Sequence, residues 1–139
     1  MTRVYFTDRD LGKQFGAILR AGGLTVERHA DHFAHDTPDE VWLAEVGQRG
    51  WIALTHDSRI RYKPTERDAV MRHGVALLVI VGRAPFPELA RAFVTTLPHI
   101  ERFLARHRPP FIAKVYRPSP GDATRRNVSP GRIELWYPR

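Results

Sequence analysis

The sequence has no cysteine in its 139 residues. It also has no apolar run of the roughly 20 residues that a membrane-spanning helix needs. The absence of cysteine excludes disulfide bonds and thiolate metal ligands, so oxygen or imidazole groups must hold any bound metal. The first residues, MTRVYFTDRD, lack the apolar segment of a signal peptide. We therefore expect a soluble, cytoplasmic protein.

Positive charge increases along the chain. The formal net charge is +7. Residues 1–50 carry six Lys/Arg and eight Asp/Glu (−2), residues 51–100 carry seven and four (+3), and residues 101–139 carry nine and three (+6). A basic surface attracts polyphosphates through counterion release and electrostatic steering. The charge thus favours a nucleic-acid partner, although an ordinary solvated basic surface would show the same balance.

Short apolar runs alternate with amphipathic segments. The runs predict strands at residues 4–7, 24–29, 51–55 and 75–81. Apolar residues at helical spacing predict helices that begin near Leu11, Thr37, Pro64 and Phe86. Thr37 and Glu40 have the spacing of a capping box around Pro38. Pro98 is expected to kink or break the last of these helices.

This alternation predicts an α/β fold. Right-handed crossovers between successive strands give a mainly parallel central sheet with helices on both faces, which is a three-layer α/β/α sandwich. The tail differs, because residues 111–116 and 133–137 predict a C-terminal pair of β-strands joined by a loop rich in proline and glycine. We expect one domain over residues 1–139, with residues 108–139 as a C-terminal β extension.

Three acidic residues are predicted to meet at the carboxyl edge of this sheet, where open α/β sheets bind ligands. Asp8 and Asp57 follow the first and third strands, and Asp39 lies in the first turn of the helix before the third strand. Carboxylates brought together repel one another, and Mg²⁺ or Mn²⁺ can neutralise them. Such an ion can activate water for phosphodiester hydrolysis. Each acid alone could instead cap the turn or helix that it precedes.

Three segments resemble the PIN-domain ribonucleases, in particular the compact PIN-like toxins related to the VapC type of toxin–antitoxin systems. They are FTDRDLG at 6–12, DTPDEVWL at 36–43 and GWIALTHDSRIR at 50–61. The similarity extends over about residues 3–82. The resemblance implies a Mg²⁺- or Mn²⁺-dependent endoribonuclease that acts on RNA and is inhibited by a cognate antitoxin protein. It is also compatible with a homodimer.

The resemblance assigns roles to individual acids. Asp8 matches the first acid of the family, Asp39 matches the acid that opens the helix before the third strand, and Asp57 matches the acid of the Thr-x-Asp motif. These three would be the metal ligands and the catalytic residues. Thr55 would support them by holding a metal-bound water or by orienting Asp57. Asp10 is a candidate supporting acid beside Asp8, and a solvated or capping acid is the alternative for it.

One feature of the family has no clear counterpart in the sequence. PIN domains usually carry another acid between the first strand and the helix that Asp39 opens. Asp36 or Glu40 could substitute for it, although Glu40 is also explained as the capping-box partner of Thr37. With three acids instead of four, the resemblance implies one tightly held ion more readily than two.

Basic residues flank the acids and are candidates for binding RNA phosphates. They are Arg9, Arg59, Arg61 and Lys63. Arg59 and Arg61 would share one side of an extended segment. Arg125 and Arg126, in the loop between the last two strands, could lengthen the same basic track. A purely solvated surface is the alternative for all of them.

Three other functions stay open. His29, His32 and His35 recur every three residues beside acidic residues, which could form the site of a zinc hydrolase, and His56 beside Asp57 could contact a substrate. A response-regulator receiver also has acids after its first and third strands. However, strand four ends without a hydroxyl residue, and Lys114 lies inside a predicted strand. A catalytically silent PIN-like module that binds RNA or protein is the third alternative.

Overall fold

The computed structural model describes residues 3–118 and 130–138. Six strands alternate with helices: β1 (Val4–Thr7), β2 (Thr25–Arg28), β3 (Ile52–Thr55), β4 (Ala76–Val81), β5 (Phe111–Tyr116) and β6 (Arg132–Tyr137). The α-helices are α1 (Gly12–Ala21), α2 (His29–His32), α3 (Asp39–Arg49), α4 (Pro64–Arg72) and α5 (Phe86–Arg106). Two short 3-10 helices, Arg9–Leu11 and Ser58–Tyr62, follow β1 and β3.

The strands form one sheet in the order β2-β1-β3-β4-β5-β6. The first five are parallel, and β6 pairs antiparallel with β5. The chain moves outward from β1 to β2 and then returns to β3 on the other side of β1. This reversal places a crevice at the carboxyl ends of β1 and β3, where α/β sheets bind their ligands.

Helices cover both faces of the sheet, which confirms the predicted three-layer α/β/α sandwich with a C-terminal strand pair. Side chains of α1 and α5 pack on one face, around residues such as Tyr5 and Leu78. Side chains of α3 and α4 pack on the other face, around Phe6 and Leu77. Because successive residues of a strand point to opposite faces, a central strand buried on both sides is apolar throughout. The continuous apolar run of β4 has this cause.

The closest approach between α3 and the end of α4 depends on a glycine. A Cβ atom at Gly47 would overlap the backbone carbonyl oxygen of His73. Backbone atoms cannot move aside as a flexible side chain can. The second helical layer therefore needs a residue without a side chain at this position.

The predicted capping box was wrong, and the predicted break at Pro98 is not seen. Residue Pro38 is the N-cap of α3, and no side chain caps the helix, so Thr37 and Glu40 do not form the expected capping box. Thr37 lies one residue too early, and its carbonyl instead accepts a hydrogen bond from Arg9. The last helix runs unbroken through Pro98 as a single helix of 21 residues. Its apolar face, with Phe93 and Ile100 buried, outweighs the loss of one backbone hydrogen bond.

Within the described ranges, no helix combines the length and the apolar composition that crossing a membrane requires.

Candidate active site

A pair of carboxylates, the buried Asp8 and the partly buried Asp10, lies where β1 and β3 end. Asp8 follows β1, and its backbone N–H donates to the Leu54 carbonyl at 2.9 Å, which ties the two strand ends together. One carboxylate oxygen of Asp8 accepts from the Arg9 N–H at 2.7 Å and caps the 3-10 helix. The other accepts from the Thr55 hydroxyl at 3.0 Å. Asp8 is thus held by β3 as well as by its own turn.

Asp10 shares the same hydroxyl. Its Oδ2 accepts from Thr55 Oγ1 and from the His56 N–H, each at 3.1 Å. A threonine hydroxyl has one hydrogen, so it can donate to only one of Asp8 and Asp10 at a time. The second oxygen of Asp10, Oδ1, is buried and has no hydrogen-bond partner among the described residues. The pair therefore has fewer donors than two charged carboxylates require.

The pKa values of both acids are raised above the ordinary value of an aspartate. Burial, and next the nearby charge of Asp10, raise the pKa of Asp8 from 3.8 to about 7. Burial also raises the pKa of Asp10, against the lowering effect of its hydrogen bonds from His56 and Thr55. At neutral pH the pair consequently favours a bound proton or cation.

Asp39 is neutralised by an arginine. Its Oδ1 accepts from Arg9 Nη2 at 2.8 Å and from the indole N–H of Trp42 at 3.0 Å. The same guanidinium donates through Nη1 to the Thr37 carbonyl at 2.9 Å and contacts His29 Nε2 at 2.8 Å. Arg9 thus braces the start of α3 against the start of α2.

His29 is a buried partner of this arginine. A guanidinium can only donate, so His29 Nε2 must accept, and the ring proton must lie on Nδ1. Nδ1 is buried without a partner in the described part of the chain. Burial, and next the charge of Arg9, lower the pKa of His29, which keeps the ring neutral. This neutral form is the one that the contact with Arg9 requires.

Asp57 has its own cations. Its Oδ1 accepts from the Arg59 backbone N–H at 3.0 Å and from Arg59 Nε at 3.2 Å, and its Oδ2 accepts from Lys63 Nζ at 2.8 Å. Burial raises the pKa of Asp57, but the hydrogen bonds from Lys63 and Arg59 outweigh burial and lower it. Asp57 is therefore charged at neutral pH, where Asp8, with its pKa of about 7, is only partly ionised.

The four acids line one cleft of about 430 Å³. The residues around it are Asp8, Arg9, Asp10, Asp39, His56, Asp57, Ser58, Arg59 and Lys63. The three predicted metal ligands thus share a crevice, together with three of the four predicted phosphate-binding residues. No three Asp, Glu or His side chains within residues 3–118 and 130–138 are close enough together to hold a metal ion as they stand.

Of the remaining predicted residues that the structure describes, only Thr55 contacts the acids of this cleft. Glu40 is half-buried on α3 and does not line this cleft. Arg61 points away from the acids, since its Nε donates to the Trp136 carbonyl at 3.2 Å. Arg125 and Arg126 lie outside the described residues. Thr55 contacts Asp8 and Asp10 with its hydroxyl, which also accepts from the Asp57 N–H at 3.2 Å.

The alternative sites can be compared with the same geometry. His32 Nε2 lies 3.5 Å from Glu27, His29 contacts Arg9 and His35 is exposed, so the three histidines do not gather into a zinc site within the described ranges. The ammonium of Lys114 lies 3.9 Å from the ring centre of Trp136, on the sheet face, as a residue inside a strand should. The arrangement that a receiver needs near Asp57 is not formed by Lys114.

Sequence reasoning missed the bracing role of Arg9 and underestimated Asp10. The signal for Asp10 was available, since Asp-x-Asp and Thr-x-Asp follow two strands that the topology makes neighbours. The contacts of Arg9 span 28 to 30 residues in sequence with Thr37 and Asp39 and had no local signal.

A three-layer α/β sandwich with an acidic cleft at its strand-order reversal fits a nuclease-type module, and the comparison with known families identifies it as one. The family described as "PIN like domain" matches residues 3–82, more than half of the chain, and the chain belongs to this family. The match contains every acid of the cleft and ends before α5, β5 and β6. PIN-like domains are generally nucleases. Comparisons with curated proteins and with solved structures gave no match.

Proposed function

We propose that this protein is a divalent-metal-dependent endoribonuclease and that the Asp8–Asp10 pair is the centre of its metal site. The observation that carries the proposal is the Thr55 hydroxyl shared by the buried Asp8 and the partly buried Asp10, because its one hydrogen can serve only one of them at a time. The unpartnered Asp10 Oδ1 needs a cation or a proton for the same reason. Family membership and the basic residues of the cleft support nucleic acid as the substrate.

The residues fit Mg²⁺ or Mn²⁺ better than softer metals, because every acidic ligand is a hard carboxylate oxygen and the chain has no cysteine. Asp8 and Asp10 would hold the ion, and Asp39 and Asp57 would join them if they were released from Arg9 and Lys63. Bound there, the ion would supply Lewis-acid catalysis of phosphodiester hydrolysis.

The protein's own groups would position the RNA. Arg59 is the most exposed base of the cleft, with 79% of its side chain accessible, and it is suited to bind a phosphate that arrives from solvent. Lys63 lies deeper beside Asp57, with 34% accessible. Thr55 would donate its one hydrogen bond to either Asp8 or Asp10 and so orient that carboxylate. The other carboxylate would be stabilised by the cation that both of them bind.

The test is RNA cleavage by the purified protein with Mn²⁺, with Mg²⁺ and with EDTA. We expect cleavage with either cation and none with EDTA. Asp8→Asn should remove cleavage and still unfold in one cooperative thermal transition, whereas Asp68→Asn, on the exposed side of α4, should cut like the wild type. Full activity of Asp8→Asn would disprove the assignment of the metal centre.

A second candidate is a catalytically silent RNA-binding module. The observation that favours it is the neutralisation of Asp39 by Arg9 and of Asp57 by Lys63, since both acids then need no metal. Such a protein would bind RNA in EDTA but neither bind Mn²⁺ tightly nor cut RNA. Calorimetric titration with Mn²⁺ separates the two functions, because only the nuclease should lose Mn²⁺ binding on Asp8→Asn.

We further propose that the enzyme is the toxin of a toxin–antitoxin pair, controlled by an antitoxin protein. The support is the resemblance of the three acidic segments to VapC-type toxins. Induced expression in a bacterial host should stop growth, and Asp8→Asn should relieve the arrest at equal protein level. Unimpaired growth with an active enzyme would exclude the toxin role.

A further inference from the structure

We propose that single-stranded RNA stacks a base on the exposed ring of Tyr62, which belongs to an aromatic cluster of Tyr62, Trp136 and Tyr137 near the cleft. We call this cluster the aromatic platform. The proposal rests on the ribonuclease function above and adds the physical form of the substrate. It also gives a role to β6, which lies outside the residues that match the family.

Tyr62 is the outermost member of the platform. It is 64% exposed, an unusual state for a large aromatic side chain, and it ends the 3-10 helix that follows β3. Its ring stands edge-on to Trp136, with the ring centres 5.8 Å apart and the planes at 85°. Trp136 is 8% exposed and holds the Tyr62 ring from beneath, so the ring is oriented while much of its surface stays open.

Cations surround these rings. The guanidinium carbon of Arg61 lies 5.2 Å from the ring centre of Tyr62, 5.6 Å from Trp136 and 5.4 Å from Tyr137. Arg67 lies 5.2 Å from the ring centre of Tyr137, and the Lys114 ammonium lies 3.9 Å from that of Trp136. An aromatic ring attracts a cation that lies over its face. The rings therefore hold these side chains in place, and their positive charges stay available to an anion.

The charge of the platform is not compensated internally. Arg61, Arg67 and Lys114 form no salt bridge with any acid of the described residues. Two acids of the cleft, by contrast, form salt bridges: Asp39 with Arg9, and Asp57 with Arg59 and Lys63. The other two, Asp8 and Asp10, share the Thr55 hydroxyl. A ligand that presents both flat rings and a repeated negative charge matches this surface, and a polynucleotide strand has this chemistry.

One short helix connects the platform to the cleft. Asp57 caps the 3-10 helix that carries Arg61 and Tyr62, and Lys63, the next residue after Tyr62, returns to Asp57 at 2.8 Å. A strand whose phosphate binds at Lys63 would thus place a neighbouring base beside Tyr62. The bases of a duplex are stacked on one another, so only an unpaired strand can offer a base face to this ring.

The test is equilibrium binding in EDTA, where the RNA stays intact. A fluorescein-labelled single strand of about 12 nucleotides and the matching duplex are titrated and followed by fluorescence anisotropy. For Tyr62→Ala and Tyr62→Leu we expect the Kd for the single strand to rise about tenfold, and for Tyr62→Phe we expect a change below about twofold. The Kd for the duplex should be the same for all four proteins.

Unchanged single-strand binding by Tyr62→Ala would overturn the platform, and so would an equal loss of duplex binding. Because Tyr62 is exposed, its variants should unfold at the temperature of the wild type. Cleavage is measured separately with Mn²⁺. A wild-type protein that binds through Tyr62 but never cuts would refute the nuclease and leave the platform intact. An active wild type whose binding ignores Tyr62 would refute the platform alone.

Discussion

The Thr55 hydroxyl lies 3.0 Å from a carboxylate oxygen of Asp8, although 47 residues separate the two in the sequence. This contact joins the carboxyl ends of β1 and β3 at the point where the strand order reverses. Asp10 reaches the same hydroxyl at 3.1 Å. A single hydrogen therefore serves both acids, and the proposed metal site rests on this imbalance.

Thr55→Val tests that contact directly, because valine keeps the shape of threonine and removes the hydroxyl. At about pH 8 we expect the free energy of unfolding to fall by about 1–3 kcal/mol, since a buried carboxylate loses a donor. Mn²⁺ should also bind more weakly, because the carboxylates are less well oriented. Urea denaturation and calorimetric titration measure both effects. Thr55→Ser, which keeps the hydroxyl, should stay close to the wild type, and equal behaviour of the two variants would contradict the role of the hydroxyl.

The raised pKa of Asp8 predicts a stability that falls as pH rises. The pKa of Asp8 is about 7 in the folded protein, against an ordinary value of 3.8. Between these values the folded state keeps a proton that the unfolded chain releases, so the contribution of Asp8 to stability is present below about pH 4 and is lost by about pH 7. In EDTA, Asp8→Asn should therefore raise the melting temperature at about pH 8, by about 3–6 °C.

The comparison with Asp8→Asn is needed because other groups titrate in the same range. Asp10, with a raised pKa, acts in the same direction as Asp8, whereas His29 and Asp57, with lowered pKa values, favour the folded state as pH rises. The variant should thus gain stability at about pH 8 and gain little at about pH 4. An equal change at both values would mean that Asp8 carries no raised pKa.

The sequence predicted the strand ends of the site because the signal there is local. An apolar run of β-formers ends at Asp8, another ends at Thr55, and parallel strands bring such ends to one edge. Alternation of strands and helices gave the three layers for the same reason. These features depend on neighbouring residues and on handedness rules that hold across folds.

Side-chain pairing was less accessible, because it depends on which residues meet after folding. Arg9 reads in the sequence as a phosphate-binding residue, yet it is bound to Asp39, His29 and the Thr37 carbonyl. The capping of α3 was misjudged, and α5 does not break at Pro98, because local rules ignore what the rest of the helix gains by packing.

Gly47→Ala tests the packing of α3 against the end of α4. The added methyl group would meet the His73 carbonyl oxygen, and both atoms belong to or adjoin the backbone, so the helices must separate. We expect a loss of about 1–3 kcal/mol in the free energy of unfolding, although alanine is the better helix former. Chemical denaturation in urea measures it. Gly16→Ala on α1 is the control, since a Cβ there makes only ordinary contacts at 3.5 Å and beyond, and it should be neutral or stabilising.

Lys63→Met separates two roles of the same ammonium group. Lys63 donates to Asp57 at 2.8 Å, which helps to lower the pKa of Asp57, and it also lines the cleft. Methionine keeps the length of the side chain but removes its charge. Asp57 is then free to join a cation, so we expect Mn²⁺ to bind about fivefold more tightly, because Lys63 no longer competes for the carboxylate. RNA should bind several-fold more weakly in EDTA, because one phosphate contact is lost.

Lys13→Met, on the exposed side of α1, is the control and should change neither dissociation constant. A variant that merely unfolds would bind both Mn²⁺ and RNA more weakly. Opposite changes in the two dissociation constants would therefore identify Asp57 as a metal ligand that Lys63 keeps from the cation in the wild type.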